Sequence, residues 1–387
     1  MNSIFRNINL LKAKQDYILL SIIVLSLAFT SRNLFFSLHG DEHTYVTLAN
    51  SILDGSYSIN EKPSVVSPSV PIIIVFFKLF TNNLVAIYLS KLFHLALVLF
   101  GCVFWFKTFK KVKLPPTIIL SLIALTLINP TSISWFAKLY PEALLFFSFS
   151  GFIYYFNSDL LSKNFAFLLF FFLLLIFTRY VFAVLGLLIF VRYIEYLKLD
   201  FKKNIVTLSV YILIAFIPVA LWGFYLANVQ SQGVSSISYF DRFNIENPII
   251  YNLKCGLGLE QHYEVSRING IPAFVSLFIP ITGFRNYLLS VLLIIAFVSG
   301  YVGTLKPRVI KKILVSISLI MTGYVFAGTG FSRYWVSMLP GFLLGYYLLY
   351  KKFKLSDKLF LYIVYSISIV YILNEIRISL LLFTSRL

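Results

Sequence analysis

Apolar runs of about 18–22 residues recur along the chain, and a run of that length crosses a bilayer as a helix. About eleven are placed near 17–38, 84–106, 116–135, 140–156, 164–178, 180–195, 204–226, 286–305, 310–328, 334–350 and 359–376. Two shorter apolar pieces, Ser69 to Phe80 and Ile271 to Gly283, read as re-entrant or boundary helices. The expected fold class is an all-α polytopic membrane protein of about eleven transmembrane helices. Short amphipathic interfacial helices are expected in the first outer loop, with a single domain over 1–387 and no large soluble domain. Composition agrees: 12% of residues are charged and 59% hydrophobic, against roughly 25% charged in soluble domains. The first run is longer than a signal-peptide core and shows no small-residue cleavage site, so it reads as a retained span.

The formal charge of +18 acquires meaning once the runs are placed. With the N-terminus inside, the inner segments are 1–16, 107–113, 157–163, 192–203, 306–312 and 351–358. They hold 20 of the 33 Lys and Arg residues, but only five acids: Asp16, Asp159, Glu195, Asp200 and Asp357. The rest of the chain holds 13 basic and ten acidic residues. Inner loops of membrane proteins concentrate Lys and Arg. The excess is therefore a topology signal, and no nucleic-acid partner is expected. The expected location is a bacterial cytoplasmic (inner) membrane, with the N-terminus cytoplasmic. Cys102 lies in an apolar run and Cys255 in a later loop; two cysteines so placed neither suggest a disulfide nor suffice for a zinc site.

The same topology gathers the conspicuous polar residues on the outer side. The stretch from His39 to Gly55 (HGDEHTYVTLANSILDG) follows the first span. Tyr45, Leu48, Ala49 and Ile52 fall on one face of a helix, and His43, Thr47, Asn50 and Asp54 on the other. Gly55 reads as its stop. Asp41 and Glu42 open that helix. Acids there favour the helix dipole and can cap it; Asp41 can equally act as a general base on a hydroxyl or amine within hydrogen-bond reach. Glu142 follows Pro141 at another helix start, as a dipole partner or as a second carboxylate facing Asp41. Arg179 lies between two short spans and Arg333 at the outer start of the tenth. Each must pair, snorkel or hold an anion, and the arginine fork suits phosphate. Lys62 and Lys138 are further candidates for phosphate, beside the reading of solvated loop lysines. His39, His43 and His262 share the outer side, but no metal-ligand spacing joins them, and no metal is predicted. His94 reads as a packed or hydrogen-bonded helix residue. Lys91, one turn away, needs a partner or a route to the surface. No phosphate-binding loop, dinucleotide fingerprint or hydrolase elbow is present.

The run Gly-Asp-Glu-x-x-Tyr-x-x-x-Ala-x-x-Ile-Leu-x-Gly after one long span, followed by Pro-containing segments, resembles the first outer loop of GT-C membrane glycosyltransferases. The likeness is to the branch of dolichyl-phosphate-mannose protein mannosyltransferases and lipid A aminoarabinose transferases. It covers roughly the first 195 residues and the Arg333 region. It implies a catalytic acid at Asp41 with Glu42 beside it, a second acid at Glu142, an arginine at Arg179, and an Arg-Tyr at Arg333-Tyr334 before Pro340. The family's Lys-Pro-Pro is here divided between Lys62-Pro63 and Ser67-Pro68-Ser69-Val70-Pro71. The implied activity is transfer of a hexosyl or pentosyl group from a polyprenyl-phosphate donor to a glycan, lipid or protein acceptor at the outer face. Asp41, Glu42 and Glu142 would be catalytic, and Arg179, Arg333, Lys62 and Lys138 would hold the donor phosphate. Tyr45, His43, Tyr334 and His262 would contact substrate, and the loop at 226–270 would recognise the acceptor. A lipid-linked-sugar flippase or transporter stays open. So does an O-antigen polymerase or ligase, in which Arg242, Arg267 and His262 matter more.

Overall fold

The computed structural model describes residues 2–199, 201–231, 247–261, 268–279, 281, 283–304 and 307–384. Helix α1 (Asn2–Ser31) ends in a 3-10 turn at Arg32–Phe35, and the chain then pivots at Gly40 into α2 (Asp41–Leu53). Gly40 takes φ +56° and ψ −126°, a conformation that an L side chain resists. A Cβ there would also stand 2.8 Å from the Tyr140 hydroxyl. Helix α2 closes at Asp54, with Gly55 in the left-handed region at φ +78°, as its sequence signals. A short hairpin, β1 (Ser58–Ile59) with β2 (Lys62–Pro63), pairs Ser58 with Pro63 and Ile59 with Lys62. Two-residue strands are too short to carry an alternating pattern. The Pro-led piece forms α3 (Ser69–Lys78).

Next come α4 (Asn83–Lys111), α5 (Pro116–Ile128), α6 (Pro130–Trp135), α7 (Pro141–Phe156) and α8 (Ser162–Thr178). A 3-10 segment at Tyr180–Leu185 leads into α9 (Gly186–Leu197) and α10 (Phe201–Ser231). The remainder is α11 (Pro248–Leu257), a 3-10 helix at Ile271–Leu277, α12 (Tyr287–Tyr301), α13 (Arg308–Phe326), α14 (Ser332–Trp335), α15 (Leu339–Lys352) and α16 (Asp357–Thr384). Within the expected loop at 226–270, α10 continues to Ser231 and α11 is a capped helix. Asn247 Oδ1 accepts from the Ile250 N–H at 3.2 Å, Pro248 opens the first turn, and Gly258 is left-handed at φ +76°. The expected boundary piece at 271–283 forms a 3-10 helix over Ile271–Leu277, with Pro272 to Leu277 all buried.

Among the described residues, six helical segments are long and apolar enough to cross a membrane: Gln15–Phe35, Asn83–Lys111, Tyr180–Leu197, Ile205–Val229, Arg308–Phe326 and Asp357–Leu382. The other five expected spans are helices of 13–17 residues, about 20–26 Å at 1.5 Å per residue. Asn129-Pro130 breaks the third, dividing α5 from α6; the Asn129 side chain caps α6 by accepting from Thr131 N at 2.9 Å. Helix α7 is buried on almost every side, through Phe146, Phe149, Phe152 and Ile153, so protein rather than lipid surrounds it. Helix α10, by contrast, leaves Leu213, Phe216, Leu221 and Phe224 exposed, which in a chain this apolar is a lipid-facing side. The central position of α7 carries its first turn, and hence Glu142, into the protein.

Candidate functional site

Four charges from four elements meet at one end of α7. Pro141 and Glu142 open α7, where the missing N–H and the acid both suit a first turn. Arg179 follows the last residue of α8 with an extended backbone, its N–H capping Leu175 O at 2.8 Å. Arg333 lies in α14, just ahead of α15, and Asp41 starts α2. Their ion pairs run in a chain: Asp41 Oδ2 to Arg333 Nη2 at 3.0 Å, Arg333 Nε to Glu142 Oε1 at 3.6 Å, and Glu142 Oε1 to Arg179 Nη2 at 3.1 Å. The signs alternate, so the chain is neutral. Exposure rises outward along it. The Glu142 side chain is 1% exposed, Arg333 16%, Arg179 18% and Asp41 53%.

Aromatic rings wall the guanidiniums. Arg179 stacks 3.7 Å over the Tyr334 ring. Arg333 stands 4.9 Å from the centres of Trp135 and Tyr140 and 5.4 Å from Tyr334. Such stacking favours the charged form in a dry setting. Burial works against the charge of Arg333, but Glu142, Tyr334 and Asp41 outweigh it and hold the guanidinium protonated beyond the usual arginine range. Glu142 Oε2 is buried without a hydrogen-bond partner, an arrangement that calls for an explanation.

A second polar set lies beneath and fixes the loops. Glu42 is 1% exposed and turns away from the chain of four. Its Oε2 accepts from His39 N at 3.0 Å and its Oε1 from Leu139 N at 2.9 Å, with Lys91 Nζ at 3.7 Å. Lys91 also donates to Phe36 O (2.9 Å) and Asn33 O (3.3 Å), which supplies the partners that its place in a span requires. One turn along α4, His94 Nδ1 bonds Lys138 O at 2.8 Å. The Tyr140 hydroxyl donates to His39 O at 3.0 Å and accepts from Asp41 N at 3.1 Å. Together these bonds tie the 33–42 and 133–140 segments to α4.

The other expected residues divide. Lys138 lies 4.7 Å over the Trp135 ring, beside the site. Burial pulls it below the ordinary lysine value of 10.5, opposed only in part by Glu42. Tyr45 packs edge-on to Tyr140 at 6.3 Å, and burial pushes its phenol above the usual range. Tyr334 sits under Arg179. Lys62 is exposed on β2, away from the chain of four ion-paired charges. His43 is exposed and bonds Leu38 O at 2.9 Å through Nε2. Arg242, His262 and Arg267 lie outside the described residues. Among the described residues, no three His, Cys, Asp or Glu side chains group closely enough to hold a metal ion. Sequence reasoning passed over Trp135 and Tyr140, although both flank Lys138, which it had singled out.

No protein-family model and no curated protein matches the chain. Among solved structures it is similar to ArnT from Cupriavidus metallidurans bound to undecaprenyl phosphate, at 14% identity and a TM-score of 0.50. The match covers 88% of this chain and 60% of that one, so this chain spans about three-fifths of the neighbour's length. The neighbour falls in the branch that the first outer loop resembles. At this identity the likeness is one of fold: the chain has an ArnT-like polytopic membrane architecture.

Proposed function

We propose that this protein is a membrane glycosyltransferase that moves a sugar from a polyprenyl-phosphate-linked donor to an acceptor at the outer face. The observation that carries the reading is the pairing of two aromatic-walled arginines with one buried carboxylate, while a more exposed carboxylate, Asp41, stands at the open end. The bound polyprenyl phosphate of the structural neighbour supports the donor class. The basic excess on the opposite segments supports the outer face.

In this mechanism Arg179, Arg333 and Lys138 hold the donor phosphate. Asp41 accepts the proton of the acceptor's hydroxyl or amine as its heteroatom attacks the anomeric carbon. The bond from that carbon to the phosphate oxygen breaks, its electron pair leaves with the phosphate, and configuration inverts. The charge that grows on the phosphate is met by fixed cations. Glu142 orients the reacting group; its unpartnered Oε2 fits a substrate hydroxyl. Glu42 holds the Asp41 loop in place.

Asp41→Asn tests the reading, because it keeps the shape of the side chain at the first position of α2, where Gly40 is the N-cap and the Asp41 side chain makes no capping bond. The variant keeps normal expression and thermal stability and loses sugar transfer from a polyprenyl-phosphate donor. Turnover at the wild-type rate would remove Asp41 from the chemistry.

A further inference from the structure

The four charges of the site satisfy one another electrostatically, and Arg333, the arginine that reaches the exposed Asp41, is occupied. Arg333 offers its faces to Trp135, Tyr140 and Tyr334, and its Nε edge to Glu142. Its Nη2 is held by Asp41 at 3.0 Å, and Asp41 is much the most exposed member of the chain. A phosphate that reaches Arg333 from outside meets Asp41 first.

We infer that Asp41 and the donor phosphate compete for Arg333, so that donor binding itself releases the base. This rests on the transferase reading and adds an order of events to it. The phosphate takes Nη2, and the Asp41 carboxylate swings free. The acceptor's proton then has a destination only when a donor is present. After transfer Asp41 carries that proton and the departing polyprenyl phosphate carries one more negative charge. Asp41 is half-exposed, so it returns the proton to water. The restored carboxylate then competes again for Arg333 and drives the product off. One residue thereby serves as base and as release catch.

The test is binding of undecaprenyl phosphate, with no sugar attached, to the detergent-solubilised full chain at fixed ionic strength. An ion pair of this exposure is worth about 1.5- to fivefold in an equilibrium. Asp41→Asn therefore binds undecaprenyl phosphate about 1.5- to fivefold more tightly than wild type, although it does not turn over. Asp54→Asn controls for charge: it removes a carboxylate from the far end of the same helix and leaves affinity unchanged. Equal or weaker binding by Asp41→Asn overturns the competition. So does an equal gain in Asp54→Asn, which points to a diffuse field. Failure of the transferase reading looks different, because wild type then neither binds the probe nor transfers sugar.

Discussion

The Lys91–Glu42 pair sets a severe test of how the Asp41 loop is held. Both side chains are 1% exposed and 3.7 Å apart. Removing one partner of a buried pair costs about 3–5 kcal/mol, because the other charge is left buried and alone. In Glu42→Gln the remaining oxygen satisfies one of the two N–H groups of His39 and Leu139, and the amide N–H₂ faces the other. That unpaired donor adds about 1–3 kcal/mol. Adding Lys91→Met removes the stranded ammonium, and the methionine stem fills much of the same volume. The double variant keeps the N–H penalty and gives up the Lys91 bonds to Phe36 O and Asn33 O, but it no longer buries a charge without its counter-ion. The second substitution should therefore restore about 1–3 kcal/mol to Glu42→Gln. Polytopic proteins in detergent commonly unfold irreversibly, so the readout is the half-life of the folded state at one fixed temperature. The double variant should outlast Glu42→Gln by about fivefold or more, the pair forming late in folding. If it decays as fast or faster, the pair is not the anchor described, and Glu42 is free for another role.

Two further outcomes follow from the same geometry. Gly40→Ala places a Cβ at a positive φ and against the Tyr140 hydroxyl, at about 1–2 kcal/mol; sugar transfer should fall more than tenfold while undecaprenyl phosphate affinity changes little, which paired kinetics and binding would check. Lys138 binds anions only when protonated and titrates below an ordinary lysine. Donor affinity should accordingly hold at lower pH and decline as pH rises through that lowered value, and Lys138→Arg should extend the plateau in a binding series across alkaline pH.

Much of this site could be read from the sequence, for a physical reason. In a chain so poor in charge, an acid or an arginine beside an apolar run has few ways to be satisfied. Asp41, Glu142, Arg179 and Arg333 therefore stood out one by one, and the structure brings all four together. What the sequence withholds is direction. Asp41 and Glu42 are neighbours on a helix that turns about 100° per residue, so one must face the chain of charges and the other the body. Only the positions of Lys91 and Leu139 decide which. Trp135 and Tyr140 escaped notice among 41 Phe, 25 Tyr and 4 Trp residues, where an aromatic carries little information. The Arg32–Glu375 pair, 343 residues apart, joins the end of α1 to α16 with no local pattern to announce it.

Two charged clusters differ in a way that bears on why the chain from Asp41 to Arg179 exists. Where the sequence concentrates its basic residues, Glu195 is shared by Arg192 at 2.6 Å, Arg308 at 2.7 Å and Lys312 at 3.4 Å. Three cations on one acid leave that cluster positive, as an orienting belt requires. The chain from Asp41 to Arg179 has two acids and two arginines, so it contributes nothing to orientation. It is expensive as packing too, since ionised groups taken from water are seldom better than apolar residues of the same size. A neutral, aromatic-walled row of charges at a membrane protein's surface, with one carboxylate left exposed, is hard to account for by folding alone. It is accounted for if one member is built to be exchanged: an arriving anion takes the place of Asp41, and the row stays paired whether the site is empty or filled.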